Sequence, residues 1–83
     1  MKITFKLYAS LTELLPEQAS DHAIVIDVDD NTTAFDLIDQ FRVPRDSAHL
    51  VLINGVYLAP EERAAANLVD GDTLAIWPPV AGG

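Results

Sequence analysis

Thr33-Ala34-Phe35-Asp36-Leu37-Ile38-Asp39-Gln40-Phe41 carries a clear helical period. Ala34, Leu37, Ile38 and Phe41 recur at i, i+3, i+4 and i+7, the apolar stripe of an amphipathic helix. Thr33, followed three residues later by Asp36, resembles a capping box with Asp in place of the commoner Glu. Asp36 also suits the positive end of the helix dipole, and it faces water with Asp39. Val43-Pro44 is the expected stop.

Upstream lie two alternating runs. Lys2 to Tyr8 places Ile3, Phe5 and Leu7 on one face and Lys2, Thr4, Lys6 and Tyr8 on the other, the period of a half-buried strand. Ala23 to Asp29 repeats the pattern, with Ile24, Ile26 and Val28 opposed to Val25 and Asp27. An antiparallel pair is expected. Between them, Ser10 is placed to cap a short turn through Leu11, Leu14 and Leu15 that Pro16 closes. Residues 17 to 22 read as loop. Downstream, Ala48 to Ile53 is a short apolar strand, and Asn54-Gly55 is the strongest turn signal in the chain. Val56-Tyr57-Leu58 is its partner. Ala59 to Asn67 reads as irregular, with Pro60-Glu61-Glu62 placed like a helical first turn. Leu68-Val69 is expected to dip into the core, Asp70-Gly71 to turn, and Asp72 to Trp77 to form the last strand.

The order is strand, strand, helix, then strands. One apolar stripe can cover one sheet face, which gives a two-layer α+β domain. The expected fold is a β-grasp (ubiquitin-like) plan, a mixed sheet of four to five strands packed on one main helix. The pattern leaves the strand order open. Residues 1–78 read as the domain and residues 79–83 as an extended tail.

Composition narrows the function classes. Thirteen acids against five bases give a net charge of −8. That disfavours nucleic acid and anionic membrane surfaces, which select clustered Lys and Arg. The same field would steer a basic protein partner, or simply keep the domain soluble. There is no cysteine, so disulfides and a thiol nucleophile are excluded. With no long apolar run and a strand that starts at once after Met1, the expected location is cytoplasmic.

No catalytic constellation emerges. His22 and His49 are isolated, Gly55 and Gly71 belong to turn dipeptides, and Ser10, Ser20 and Ser47 lack a nucleophile-elbow context. Asp27, Asp29 and Asp30 read as a solvated turn rather than a cation site, and no metal or other bound cofactor is expected. Arg42, Arg45 and Arg63 are candidates to pair with partner acids. Val56 and Tyr57 could extend an apolar patch.

The remaining feature is Leu74-Ala75-Ile76-Trp77-Pro78-Pro79-Val80-Ala81-Gly82-Gly83. Pro78 and Pro79 favour an extended start, and Gly82-Gly83 suit a channel too narrow for side chains. Val80 is an anchor candidate, followed by Ala81. Six extended residues reach about 19 Å at about 3.1 Å each. Leu74 and Ile76 should face the core, which leaves Thr73, Ala75 and Trp77 on the other face. Trp77 is then either a docking residue at the base of the arm or a ring folded back over Tyr8. Such an arm suits presentation of a terminal carboxylate to another protein, and a carboxylate must be activated before it can react.

This tail resembles the carboxy-terminal signature of the MoaD/ThiS family of sulfur carriers, and most nearly that of the molybdopterin synthase small subunit. Val51-Leu52-Ile53-Asn54-Gly55 and Leu68-Val69-Asp70-Gly71-Asp72 resemble the family's Asn-bearing turn and its acidic-Gly-Asp lead into the last strand. The resemblance implies that an E1-like enzyme uses ATP to adenylate Gly83, after Gly82 has entered its channel. A sulfur donor, a sulfurtransferase or cysteine desulfurase, then gives a thiocarboxylate. It also implies a larger catalytic synthase subunit as the partner that receives Trp77, Pro78, Pro79, Val80 and Ala81, with sulfur delivered to a molybdenum or tungsten pterin precursor. On that reading the chain has no catalytic residues of its own and is the sulfur-donating small subunit of the complex. Other sulfur acceptors such as the thiamine thiazole, and conjugation of Gly83 to lysines of other proteins, stay open. So does a non-covalent binding role for the Trp77 strand.

Overall fold

A computed structural model describes residues 1–79. Five strands form one sheet: β1 (Lys2–Leu7), β2 (Ala23–Asp27), β3 (Leu50–Ile53), β4 (Val56–Tyr57) and β5 (Thr73–Trp77), in the order β2-β1-β5-β3-β4. One helix, α1 (Ala34–Gln40), separates β2 from β3. β1 is antiparallel to β2, with Phe5 opposite Ile24, and parallel to β5, with Phe5 opposite Leu74. β3 runs antiparallel to both β5 and β4. This is the expected mixed β-grasp sheet, and it settles the strand order that periodicity left open.

The helix forms as its residues dictate. Thr33 Oγ1 accepts from the Asp36 N–H at 3.2 Å, and Asp36 Oδ2 accepts from the Thr33 N–H at 2.9 Å, completing the capping box. Its end differs from expectation. α1 stops before Val43-Pro44 because Arg42 turns left-handed (φ 60°), and the Val43 N–H then reaches back to the Ile38 carbonyl. That 6→1 bond is a Schellman-type cap with Arg where glycine is usual.

Ala34, Leu37 and Ile38 meet Ile3, Phe5, Leu7, Val51, Leu74 and Ile76 in a core whose named side chains are fully buried. Phe41 adds an offset stack on Phe5, with centroids 4.5 Å apart. Burying each large aliphatic side chain of this set contributes about 2 kcal/mol. The short turn after β1 is a 3-10 turn over Ala9–Leu14 that Ser10 does not cap; Tyr8 occupies the cap position without a side-chain bond. Of the Leu68-Val69 pair only Leu68 enters the core, while Val69 is exposed.

Arg63 departs most from the sequence reading. Instead of offering charge to a partner, it is 3 % exposed. Its Nε donates to the Leu58 carbonyl (3.1 Å), Nη1 to Ala48 (2.7 Å) and Nη2 to His49 (3.3 Å). The Arg63 carbonyl accepts from the Phe35 N–H at 3.1 Å. One guanidinium fork thus ties the 58–63 segment to the chain leading into β3, satisfying carbonyls that no ladder reaches. Arg45 is also engaged within the chain: it pairs with Asp39 at 2.8 Å, and its guanidinium lies 4.1 Å from the Phe35 ring centroid. Asp27, at the end of β2, is paired with Lys2 Nζ at 2.6 Å.

Two outcomes test these contacts. Arg63→Ala strands buried carbonyls and should lower unfolding free energy by about 3 kcal/mol in urea titrations; a loss within error of zero would contradict the assignment. The Arg45 hydrogen bonds, and secondarily its charge, hold the Asp39 carboxyl below the usual carboxylate range. A lowered folded pKa means that the pair's contribution is present above the unfolded value and disappears as pH falls through the folded one. Both side chains are exposed, so the effect on stability is small. Arg45→Met should instead raise the Asp39 titration midpoint, read by carboxyl-carbon NMR. An unmoved midpoint would refute the pairing in solution.

Candidate functional site

β5 is flanked by β1 and β3, and Leu74 and Ile76 anchor it with no exposed area. Two motifs fix where it starts. Asn54 adopts φ 52° and Gly55 φ 82° in the β3–β4 turn, both left-handed as a two-residue hairpin of this kind requires. The Asn54 side chain then serves β5: Nδ2 donates to Asp72 Oδ1 at 2.8 Å, and Oδ1 accepts from the Thr73 N–H at 2.9 Å. Asp72 Oδ2 accepts in turn from the Val69 N–H at 2.9 Å. The Asn-Gly turn and the Asp-Gly-Asp lead are therefore one hydrogen-bonded clamp.

The other end of β5 is held just as closely. The Tyr8 N–H donates to the Ile76 carbonyl and the His49 N–H to the Trp77 carbonyl, each at 3.1 Å. Trp77 lies nearly parallel to Tyr8, with centroids 4.3 Å apart and planes 2° apart. Tyr8 carries His22 on its ring as well, at 5.1 Å and 22°. So Trp77 folds onto Tyr8, the second of the two placements open from sequence, yet it stays half-buried. It also lines an open, largely apolar groove of about 480 Å³ with Ala9, Leu50, Pro78 and Pro79, beside Ser10 and His49.

Sequence reading missed three contributors here. His22, read as an isolated loop histidine, extends the ring stack. Thr12 Oγ1 donates to the Leu7 carbonyl and lies 3.1 Å from His22 Nδ1. Ala9 (φ 52°) and His22 (φ 65°) are both left-handed on either side of this stack, a conformation unfavourable for residues with a Cβ. No periodicity signals such positions.

Trp77, Pro78 and Pro79 are brought together at the groove. Val80, Ala81, Gly82 and Gly83, the rest of the expected site, lie outside the described residues. Val56 and Tyr57 are exposed on the β4 edge, and neither lines the groove beside Trp77. Among the described residues no group of three His, Cys, Asp or Glu side chains is placed to hold a metal ion. No helix among them is long and apolar enough to cross a membrane.

A five-stranded β-grasp with a clamped central strand running toward a Pro-Pro exit invites comparison with known proteins. The ThiS family model matches residues 5–83, nearly the whole chain and including the tail. The chain belongs to the ThiS family. No curated protein sequence matches it. Among solved structures, this ThiS-family chain is similar to SAMP1 from Haloferax volcanii, with 28 % identity and a TM-score of 0.69 over 100 % of both chains. It is also similar to the putative molybdopterin converting factor subunit 1 from Pyrococcus furiosus (22 %, TM-score 0.67, 95 % of this chain and 98 % of that one). A third likeness is to a complex of subunits 1 and 2 of the molybdopterin-converting factor from Helicobacter pylori (16 %, TM-score 0.59, 100 % of both chains). At the identities of the last two, the likeness is one of fold.

The stack gives a direct test in this ThiS-family domain. Tyr8→Ala should shift Trp77 emission to longer wavelength and lower stability by about 1 kcal/mol beyond the lost burial, whereas Tyr8→Phe should keep both. Identical emission in all three proteins would show that the rings do not stack in solution.

Proposed function

We propose that this chain is a sulfur carrier whose Gly83 carboxylate is adenylated by an E1-like enzyme and converted to a thiocarboxylate. The observation that carries the reading is the family match through residue 83, which takes in the sheet and the Gly-Gly end together. In chemical terms a Gly83 oxygen attacks the α-phosphorus of ATP and pyrophosphate leaves. A persulfide carried by a sulfurtransferase or cysteine desulfurase then attacks the acyl carbon and AMP leaves with the bonding pair; a thiol attacks the donor's cysteine sulfur in the resulting acyl disulfide, leaving a disulfide on the donor and the thiocarboxylate on Gly83. The domain's part is presentation, since clamping β5 at both ends sets the direction from which Pro78 departs.

The pathway favoured is molybdopterin or tungsten-pterin synthesis in the cytoplasm, with a larger catalytic subunit as the receiver. The Trp-Pro-Pro-Val-Ala-Gly-Gly ending and the likeness to molybdopterin converting factor subunits support it. Residues 1–78 are then the docking body and residues 79–83 the inserted arm. Trp77, Pro78, Pro79 and the adjoining groove form its base. The thiamine thiazole remains a competing acceptor for a ThiS-family chain.

A second reading rests on a separate observation. SAMP1, also solved under the name small archaeal modifier protein 1, is 28 % identical over the full length, which supports conjugation of Gly83 to lysines of other proteins.

Incubation with ATP, an E1-like enzyme and sulfide should raise the intact mass by about 16 Da, the exchange of one carboxylate oxygen for sulfur on an activated acyl group. Removing Gly82 and Gly83 should abolish the gain. Failure of the full chain to gain mass while pyrophosphate exchange proceeds would overturn the sulfur-carrier reading. Gly-Gly remnants on cellular lysines would then favour the modifier.

A further inference from the structure

The two edges of the sheet are finished differently. β4 is only two residues long and Pro60 follows it closely, so little unpaired backbone is left there. β2 is the other edge, five residues long, and among the described residues no strand covers its far side. The lysine, proline and extreme shortness that blunt edge strands are all missing from Ala23–Asp27. Its one charge, Asp27, is already paired with Lys2 at 2.6 Å.

Hydrogen-bond alternation shows which groups of β2 are open. The Leu7 N–H donates to the His22 carbonyl at 3.1 Å, and the Val28 N–H to the Met1 carbonyl at 2.9 Å. With Phe5 opposite Ile24 and Ile3 opposite Ile26, the residues His22, Ile24, Ile26 and Val28 turn their backbone toward β1. Ala23, Val25 and Asp27 turn theirs away. Ser20 takes up Ala23, exchanging both bonds with it at 2.9 Å. The N–H and C=O of Val25 and of Asp27 are left as an open ladder. Apolar side chains flank it on both faces. Val25 is 63 % exposed, and Ile24, Ile26 and Val28 are only half-buried although they pack against the core. An open groove of about 510 Å³, lined by Gln18, Ser20, Ala23, Ile24 and Val25, runs alongside.

These open groups match a second copy of themselves in one register. Ser20 blocks pairing centred on Val25, because Asp27 of the second copy would then fall where Ser20 already pairs with Ala23. Pairing centred on Asp27 would set two carboxylates directly opposite each other. Pairing centred on Ile26 places Val25 opposite Asp27 of the second copy, and Asp27 opposite its Val25, so every open group finds a partner. The same register sets Ile26 against Ile26 and Ile24 against Val28, covering side chains that a single copy leaves half-exposed. Each Asp27 brings its own Lys2, so the carboxylates that approach at the joint are compensated.

We propose that β2 is a dimerisation edge, pairing antiparallel with β2 of a second copy about a two-fold axis at Ile26 and joining the two sheets into one. Each copy carries a net charge of −8, so repulsion that salt screens opposes the pairing. The contact is a single strand edge, smaller than the about 1,600 Å² of a standard interface, so the dimer is weak, with Kd on the order of 100 μM. β2 is antiparallel to β1, and β1 is parallel to β5, so the two-fold sends the Pro78 ends of the two copies in opposite directions. The Trp77 strand lies two strands from the joint, and the groove beside it stays open. Dimerisation therefore stands or falls independently of what the tail does.

Sedimentation equilibrium of the full chain from about 10 μM to about 1 mM tests the pairing. Dimer should appear in the upper part of that range and increase with added salt. Val25→Glu, which faces Asp27 of the second copy, should weaken dimerisation at least about tenfold. Val25→Lys meets the same carboxylate with the opposite charge and should not weaken it. Val25→Pro removes an N–H that β1 does not use, and should abolish the dimer while the sheet still forms. Because the chain has no cysteine, Ile26→Cys makes disulfides only between copies. Its Cβ atoms would meet across the axis at about 4.5–5.5 Å, so it should oxidise to a dimer at least about tenfold faster than Val25→Cys. A chain that stays monomeric to about 1 mM, its edge left to a strand of some other protein, would overturn the proposal. So would growth beyond a dimer through the β4 edge, or loss of the dimer in Val25→Lys, the sign of a Val25-centred register.

Discussion

The insertion of β5 between β1 and β3 is the constraint on which the rest of the structure depends. Remove it and two separate antiparallel pairs remain, β1 with β2 and β3 with β4, neither wide enough to cover α1. With it in place, Leu74 and Ile76 complete the buried face, and every backbone group of a central strand can find a partner on one side or the other. The Asn54–Asp72 clamp and the Trp77–Tyr8 stack then act at its two ends. A tail leaving such a strand has a fixed origin.

Much of this was legible in the sequence, for identifiable reasons. The Thr33–Phe41 stripe, the alternation in β1 and β2, and the Asn54-Gly55 turn are local signals whose period or dihedral demand admits few alternatives. Strand order was not legible, because alternation records which face a residue occupies and not which strand lies beside it. Arg63 was misread because nothing near it in sequence announces burial. Its acceptors at Ala48 and His49 belong to another segment, and only the folded chain gathers them with the Leu58 carbonyl around one guanidinium. The left-handed Ala9, His22 and Arg42 escaped for a related reason: tertiary packing, not residue preference, holds them there.

The site was legible in composition and less so in arrangement. Trp77 and the two prolines announce an arm, while the groove beside them is built by Ala9, Ser10, His49 and Leu50 from two distant parts of the chain. His49 links the two themes. Its carbonyl is held by Arg63 and its N–H by the Trp77 carbonyl, so a buried guanidinium and the base of the tail are one residue apart in the bonding network. Buried hydrogen bonding of this kind rigidifies what it connects.

The parallel contact between β1 and β5 also has a kinetic side. Phe5 meets Leu74, so the pairing joins the first strand to the last across nearly the whole chain. Contacts of such high order form slowly, because loop closure comes before any gain from them. Until β5 arrives, β1 and β3 each present an open, aggregation-prone edge, and the same arrival closes both. Tyr8 has no Trp77 to stack on before that moment. Completion of folding and assembly of the tail's base are therefore one event: a chain caught partway, or one that lost its last strand, would lack the surface that distinguishes a finished molecule from its precursors.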